Sequence, residues 1–344
     1  MIKIRGGATI LAFLSLFSRT LSHQQGVKVA STSEEAKPLE IHIINVGQGD
    51  SFLIISPSGK KVLIDAGNTG RGSGFVLPYL QAHNISSIDY IVASHFHSDH
   101  IGGLDEVING LGGNTHILNT AFDRGGTYDS SAFREYVNSV GDRRKTISSG
   151  EIIDLGGEVS MRCIASDGNV QTGRIYFGID ENARSVVLIL NFHSFDMYLG
   201  GDSNSFVEPL LAPCAGDVDV YKVSHHGSAT SSTRELLYYL KPEVSIIPVG
   251  DGNTYGHPHP DTVLRLVNMG SYIYQTETGY ASPPSKKGEV AQGNILIITD
   301  GDFYTISGSS IISKTRPTDL KQAFSYLIDK HLGQWPFVFL ISKN

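Results

Sequence analysis

Residues Ser94–Gly103, SHFHSDHIGG, place three histidines and an aspartate within six consecutive positions, His95 to His100. Imidazole nitrogen and carboxylate oxygen are natural ligands of zinc and similar divalent metals. In an extended segment, side chains two apart point the same way, so His95 and His97 face one metal from the end of a strand. The chain must then turn into a helix, and Gly102 and Gly103 permit that turn. Asp99 and His100 sit on the turn and face a second metal.

Four ligands on one loop cannot close two metal sites, which need further ligands and a shared bridging group. Other strand ends supply them. YLGGDS ends a strand at Asp202, a carboxylate placed to bridge. YKVSHHGS ends another at His225 and His226.

The sequence around these loops alternates between strand and helix signals. LEIHIINVGQGDSFLIISPSGKKVLIDAG, from Leu39, holds three β-rich runs, with Pro57, Ser58 and Gly59 as a hairpin turn. GFVLPYLQAHN reads as a helix and IDYIVAS as a buried strand leading into the histidine loop. LDEVINGLGG is a helix ending in glycines. SAFREYVNSV is another, with Phe133, Tyr136, Val137 and Val140 at helical spacing. Strands follow at EIIDL, EVSMRCIAS, SVVLILNF and FDMYLGGD, a helix at SFVEPLLAP, and a strand at VDVYKVSHHG. Next come a helix at STRELLYYLK, a strand at VSIIPVG, a helix at PDTVLRLVNM, and final strands at YIYQT, NILIITD and DFYTIS. Antiparallel runs that give way to alternating strands and helices, twice over, predict an α/β (α+β) four-layer αββα sandwich.

At 344 residues, with 40% hydrophobic and 18% charged side chains, the chain has material for a sizeable core and is not a disordered polymer. Residues 1–22 read as a signal peptide, with Lys3 and Arg5 before the short apolar run Ala8–Phe17, and Thr20 and Ser22 at a cleavage site. This predicts secretion, extracellular or periplasmic, with no membrane-spanning helix. Residues 23–38 form a flexible linker, 39–310 the main domain, and 311–344 a C-terminal helix and apolar tail. That helix runs Asp319–Leu332, with Leu320, Phe324, Leu327, Ile328 and Leu332 on one face.

The formal net charge is −7, and the leader carries only positive charges. Arg143, Arg144 and Lys145 form a lone basic cluster, read as a solvated turn. Extended nucleic acid is therefore disfavoured as a partner, and a small-molecule or phosphoester substrate is favoured. The sequence leaves the oligomeric state open. The two cysteines, Cys163 and Cys214, are no disulfide framework and stand as two buried thiols or one bridge.

The ordered set HxHxDH with GG, then GD, then HHGS resembles the metallo-β-lactamase superfamily. NVGQGDSFLI (Asn45–Ile54), VLIDAG (Val62–Gly67), ENARSVVLIL, SHHGS and NTYGHP (Asn253–Pro258) narrow the resemblance to the hydrolase domain of ComEC-type DNA-uptake proteins and its stand-alone relatives. The resemblance covers about residues 39–307. It implies the metallo-β-lactamase fold and a water-activating centre of two divalent metal ions, zinc with manganese as the alternative. His95 and His97 would bind the first metal, and Asp99, His100 and one of His225 and His226 the second, with Asp202 between them. Asp65 would steady the histidine loop by accepting hydrogen bonds. Asp99 would also take the attacking proton. His257 would contact a phosphoryl oxygen or protonate the leaving group. Gln48 and Asp50 are active-site rim residues or parts of a structural turn. Ser228–Ser232 line the mouth or start a helix.

Many superfamily members carry one more histidine between the first cluster and the GD. None stands in GIDENARSVVL, where Asp180 and Asn182 are the candidate substitutes; His193 falls in the strand beyond and reads equally as a plain surface residue. Three readings follow. The first is a secreted hydrolase of phosphodiester or phosphoester bonds. The second is a carboxylic ester, lactone or β-lactam hydrolase of the same superfamily. The third is a metal-binding protein without turnover.

Overall fold

The computed structural model describes residues 37–307 and the backbone of 312–313. The expected signal peptide, the expected linker up to residue 36, and the expected C-terminal helix and tail lie outside the described residues. The first half of the chain forms β1 (Leu39–Ile43), β2 (Phe52–Ile55), β3 (Lys61–Ile64), α1 (Leu77–Ala82), β4 (Ile88–Val92), α2 (Ser98–Ile101), α3 (Leu104–Leu111), β5 (Ile117–Asp123), α4 (Ser131–Val140) and β6 (Arg144–Thr146). The second half forms β7 (Ile152–Gly156), β8 (Val159–Ser166), β9 (Asn169–Val170), β10 (Val187–Phe192), β11 (Phe195–Leu199), α5 (Glu208–Ala215), β12 (Val220–Lys222), α6 (Arg234–Leu240), β13 (Val244–Ile247), α7 (Pro260–Asn268), β14 (Tyr272–Gln275) and β15 (Gly288–Val290). The chain then returns through β16 (Ile295–Thr299), β17 (Phe303–Ile306) and β18 (Ile312–Ser313).

These strands make two sheets. The first runs β18-β17-β16-β1-β2-β3-β4-β5-β6, and the second β15-β14-β13-β12-β11-β10-β8-β7 with β9 on β8. Period-two alternation decides which side chains meet. Ile41 and Ile43, Phe52 and Ile54, and Val62 and Ile64 face Leu188 and Leu190, Met197 and Leu199, and Ile246 across one buried core. Leu53, Leu63 and Ile91 point the other way, into a second core with Val76, Leu80, Leu104 and Tyr136 from the helical layer. Ile189, Tyr198 and Tyr221 make the third core with Leu211, Leu236, Leu237 and Leu266. Three cores between four layers are the predicted αββα sandwich. Each fully buried aliphatic side chain contributes roughly 1.5–3 kcal/mol of transfer free energy.

Each sheet has an antiparallel block and a parallel block. β3, β4, β5 and β6 pair in parallel, as do β11, β12, β13, β14 and β15. The carboxyl ends of parallel strands are where open α/β sheets place ligand-binding loops.

Three expectations are corrected. ILNTAFD forms β5, which the sequence did not reveal, because only its ends are buried and Leu118 and Asn119 break the alternation. Arg144 and Lys145 are not in a solvated turn but in edge strand β6, where Arg144 pairs with buried Asp123 at 2.6 Å. The first sheet continues past residue 310, since β18 pairs with β17.

Candidate metal centre

Every candidate ligand leaves a strand at its carboxyl end. Asp65 follows β3, the histidine loop follows β4, Asp202 follows β11, His225 and His226 follow β12, and His257 lies in the loop after β13. The loops converge at one end of the sandwich around a cleft of about 420 Å³.

The histidine loop is held from below. The Asp65 carboxylate accepts hydrogen bonds from Ser94 N (2.8 Å) and Ser94 Oγ (2.6 Å). His100 Nδ1 stands 2.8 Å from Asp65 Oδ2. Donating there leaves His100 Nε2 as an acceptor aimed into the site. Gly102 and Gly103 act differently from expectation. Their φ values, −61° and −98°, suit any residue. They are needed for space: a Cβ on Gly102 would strike Thr69 N, and one on Gly103 would strike Gly72 N and the carbonyl of Ala66.

Asp202 occupies the centre, 2% exposed, and its two oxygens face different histidines. Oδ1 lies 3.3 Å from His100 Nε2 and 3.6 Å from His226 Nε2. Oδ2 lies 3.7 Å from His225 Nε2 and 3.9 Å from His95 Nε2. His95 Nε2 in turn stands 3.1 Å from His97 Nδ1. His226 donates from Nδ1 to the Pro248 carbonyl at 3.0 Å, which fixes its tautomer with Nε2 toward Asp99 Oδ2 at 3.5 Å.

Ligand atoms of Asp99, His100, Asp202 and His226 all lie within 4.8 Å of one another. Among the described residues, His100 Nε2, His226 Nε2 and Asp202 Oδ1 are buried without a hydrogen-bond partner, as are Asn182 Oδ1 and His225 Nδ1. Buried polar atoms are normally satisfied. Orphans at His100 Nε2, His226 Nε2 and Asp202 Oδ1, with both imidazole tautomers set by outer partners, fit a divalent cation.

His225 and His226 are consecutive, so in an extended chain they would face opposite ways. Both instead adopt left-handed dihedrals, φ 51°, ψ 46° and φ 49°, ψ 25°. That conformation costs non-glycine residues about 1–2 kcal/mol each. It turns both imidazoles toward Asp202, and strain of this kind concentrates at functional sites.

Burial works against charge throughout the site. It would raise the Asp99 carboxyl, but His100 and His226 outweigh it and hold Asp99 well below the usual carboxylate range. It would lower His100, but Asp202 and Asp65 push that imidazole well above its ordinary value. For His95 burial wins, reinforced by the His100 charge, and the imidazole is held well below its ordinary value. His257 is lowered to about 4 by burial and by its His226 and His225 neighbours, so it is neutral at pH 7.

The remaining candidates separate cleanly. Gln48 lines the cleft. Asp50 is not on the rim: it is buried beneath the site, 3.4 Å from His226 Nδ1. Asp180 turns away to Asn204 Nδ2 and Ala183 N, both at 3.0 Å, whereas Asn182 reaches the cleft 3.5 Å from His225 Nε2. His193 is in the β10–β11 turn, 44% exposed, and 3.3 Å from Glu158. Ser231 and Ser232 are buried in hydrogen bonds below α6 rather than lining a mouth. Cys163 and Cys214 are free thiols, not a bridge, and burial pushes Cys163 up to about 12.

Sequence reasoning missed three supports. Lys222 is buried under the site, with Nζ 2.5 Å from Asp50 Oδ2, 2.7 Å from the Gly201 carbonyl and 3.6 Å from Asp202 Oδ1. Arg124 forks onto Glu181 at 2.8 and 2.7 Å, and Glu181 accepts Phe96 N–H at 2.9 Å. The Asn182 turn is thereby pinned to the backbone between His95 and His97. Asn253 accepts from His257 N (3.0 Å) and donates to the His257 carbonyl (2.7 Å), which sets the NTYGHP loop. The YKVSHHG, ENARS and NTYGHP motifs contain Lys222, Glu181 and Asn253, while Arg124 lies in none of them, and nothing local shows which partners these residues meet.

The family model of the metallo-β-lactamase superfamily matches residues 44–251. The chain is similar to Recombination protein 2 of Haemophilus influenzae, 28% identical over 241 residues, covering 69% of this chain and 27% of that protein. It is also similar to ComE operon protein 3 of Bacillus subtilis, 23% identical over 289 residues, covering 74% of this chain and 36% of that protein. A shorter stretch of 73 residues is 34% identical to endoribonuclease ysh1 of Schizosaccharomyces pombe, covering 20% of this chain and 10% of that protein. The chain thus spans about a third of the length of the curated relatives it matches over most of its own.

Proposed function

The chain belongs to the metallo-β-lactamase superfamily, and from that premise we propose that it is a secreted metal-dependent hydrolase of phosphodiester or phosphoester bonds. The observation that carries the reading is Asp202, whose two oxygens each face histidines from both sheets at 3.3–3.9 Å. His95 and His97 would hold one divalent cation, and Asp99, His100 and His226 another, with Asp202 between; zinc is the first choice and manganese the alternative. Such a pair supplies an activated water and charge neutralisation on substrate oxygens.

The chain's own residues do the rest. Asp99, held ionised and open to the cleft, serves as a ligand and accepts the attacking proton. His257 is neutral at pH 7, so it donates one hydrogen bond to a phosphoryl oxygen instead of protonating the leaving group. Gln48, Ser98, Ser130 and Tyr255 line the cleft with further donors, a wall suited to a multiply charged oxyanion. The endoribonuclease relative, similar over 73 residues, supports phosphorus as the electrophile. The leader-like residues 1–22 support secretion. Among the described residues no helix is long and apolar enough to cross a membrane.

Purified protein supplied with zinc or manganese should hydrolyse bis(p-nitrophenyl) phosphate and stop when a chelator is added. Asp202→Asn should lower the rate on the order of 100-fold or more, at least as much as losing an outer-sphere support. Turnover of nitrocefin or a lactone, with none across a phosphoester panel, would transfer the reading to carbon esters.

A further inference from the structure

We propose that His225 and Asn182 together complete the first metal site, so that both histidines of the HHGS motif are ligands, one to each ion. This rests on the two-metal reading above; it moves His225 from the second site, where the sequence left it as the alternative to His226, to the first, and takes Asn182 rather than Asp180 as the substitute for the missing histidine.

The geometry assigns the two histidines to different sides of Asp202. His226 Nε2 faces Oδ1, the oxygen shared with His100 at 3.3 Å. His225 Nε2 faces Oδ2 at 3.7 Å, the oxygen that also faces His95 at 3.9 Å. Asp202 therefore meets His225 and His95 on one side and His226 and His100 on the other. Asn182 stands at the first side, its amide 3.5 Å from His225 Nε2, and its buried Oδ1 has no hydrogen-bond partner. A half-turn of the amide exchanges its oxygen and nitrogen without changing its shape. Either way one polar atom of Asn182 awaits a partner at that point. The Glu181–Arg124 pair, anchored to Phe96 N, fixes the turn that presents it.

The two left-handed residues in succession give a second line of support. Together they turn both rings toward Asp202, one to each of its oxygens. The turn is held by His225 N donating to the Gly201 carbonyl (3.2 Å) and Ser228 N donating to the His225 carbonyl (2.8 Å), and among the described residues His225 Nε2 meets Asp202 and the Asn182 amide. A neutral amide oxygen is a weaker ligand for zinc than an imidazole nitrogen, and suits harder cations such as manganese. The first site should therefore bind more weakly than the second.

The test is zinc and manganese titration of metal-stripped protein by calorimetry, with metal content measured after dialysis. Wild-type protein should show two classes of site. His225→Gly should leave the tight class unchanged and weaken the other tenfold or more. Because glycine relieves the left-handed strain, the melting temperature of the stripped protein should hold or rise. Asn182→Ala, which touches no strained backbone, should weaken the same class about tenfold, and Asn182→His should tighten it. Two unaltered classes in both His225→Gly and Asn182→Ala would overturn the assignment. A single metal per wild-type chain would overturn it too, while leaving a one-metal hydrolase standing. Absence of any divalent binding by wild-type protein would remove the underlying two-metal reading as well.

Discussion

Lys222 shows how much of this site depends on residues that carry no chemistry of their own. It is 1% exposed, yet burial, which should lower an ammonium, is outweighed by Asp50 and Asp202, and its pKa is raised. The reason is the crowd above it. Asp50, Asp65 and Asp202 are all buried at one end of the sandwich, and Lys222 is the lysine placed among them. Removing one partner of a buried pair leaves an uncompensated charge, which costs about 3–5 kcal/mol. Lys222→Met should therefore destabilise the metal-stripped protein by that amount in urea unfolding. Adding Asp50→Asn to it should recover most of the loss, a coupling that independent residues would not show. The sequence hid this because Lys222 sits at an ordinary strand position. Val220, two residues before it, points into the same inter-sheet core, and only the partner strands reveal that an acid waits there.

Among the elements, α5 and α6 are joined by one side chain. Glu208, fully buried at the start of α5, accepts hydrogen bonds from Ser232 N and Thr233 N, both at 2.7 Å, and so caps the segment leading from the HHGS loop into α6. Burial raises its carboxyl to about 7 against the two bonds that favour the ionised form. The folded state thus holds its proton up to about pH 7, while the unfolded state releases it near 4.5. The sign follows: over that window the unfolded state binds fewer protons, so stability falls as pH rises from about 4.5 to about 7. Melting temperatures of wild type and Glu208→Gln, both metal-stripped, should differ by an amount that shrinks as pH rises; the glutamine variant is less stable at low pH and closes the gap toward pH 7. A pH-independent difference would count against a protonated Glu208. Element by element, legibility tracked local signals. SAFREYVNSV is α4 because Ser130 caps Phe133 N at 3.1 Å and Phe133, Tyr136 and Val140 share the buried face. β5 and the short edge strand β15 had no such signal, since their pairing with β4 and β14 is decided by the sheet.

Across the whole molecule, the residues of the candidate site divide between the sheets. Asp50, Asp65, His95, His97, Asp99 and His100 stand on loops of the first, whereas Lys222, at the end of β12, and Asp202, His225, His226 and His257, on loops, belong to the second. The fold class was readable because each motif ends a strand and the alternation of strands and helices repeats. Which histidine met which oxygen of Asp202 was not, because that depends on how the two sheets pack. A cation held from both sheets joins them, and binding to the folded state alone adds stability by mass action. At a free metal concentration about 100 times its dissociation constant the gain is about 2.7 kcal/mol per site. For a domain of this size one kcal/mol moves the melting temperature by about 2–4 °C, so one occupied site should raise it by about 5–10 °C over chelated protein. Asp202→Asn should lose most of that rise, since its amide replaces the carboxylate that faces both sheets, whereas His193→Gln, on the exposed β10–β11 turn, should keep it. An equal rise in wild type and Asp202→Asn would mean that the metal binds elsewhere and that the convergence of the two sheets is not what the cation recognises.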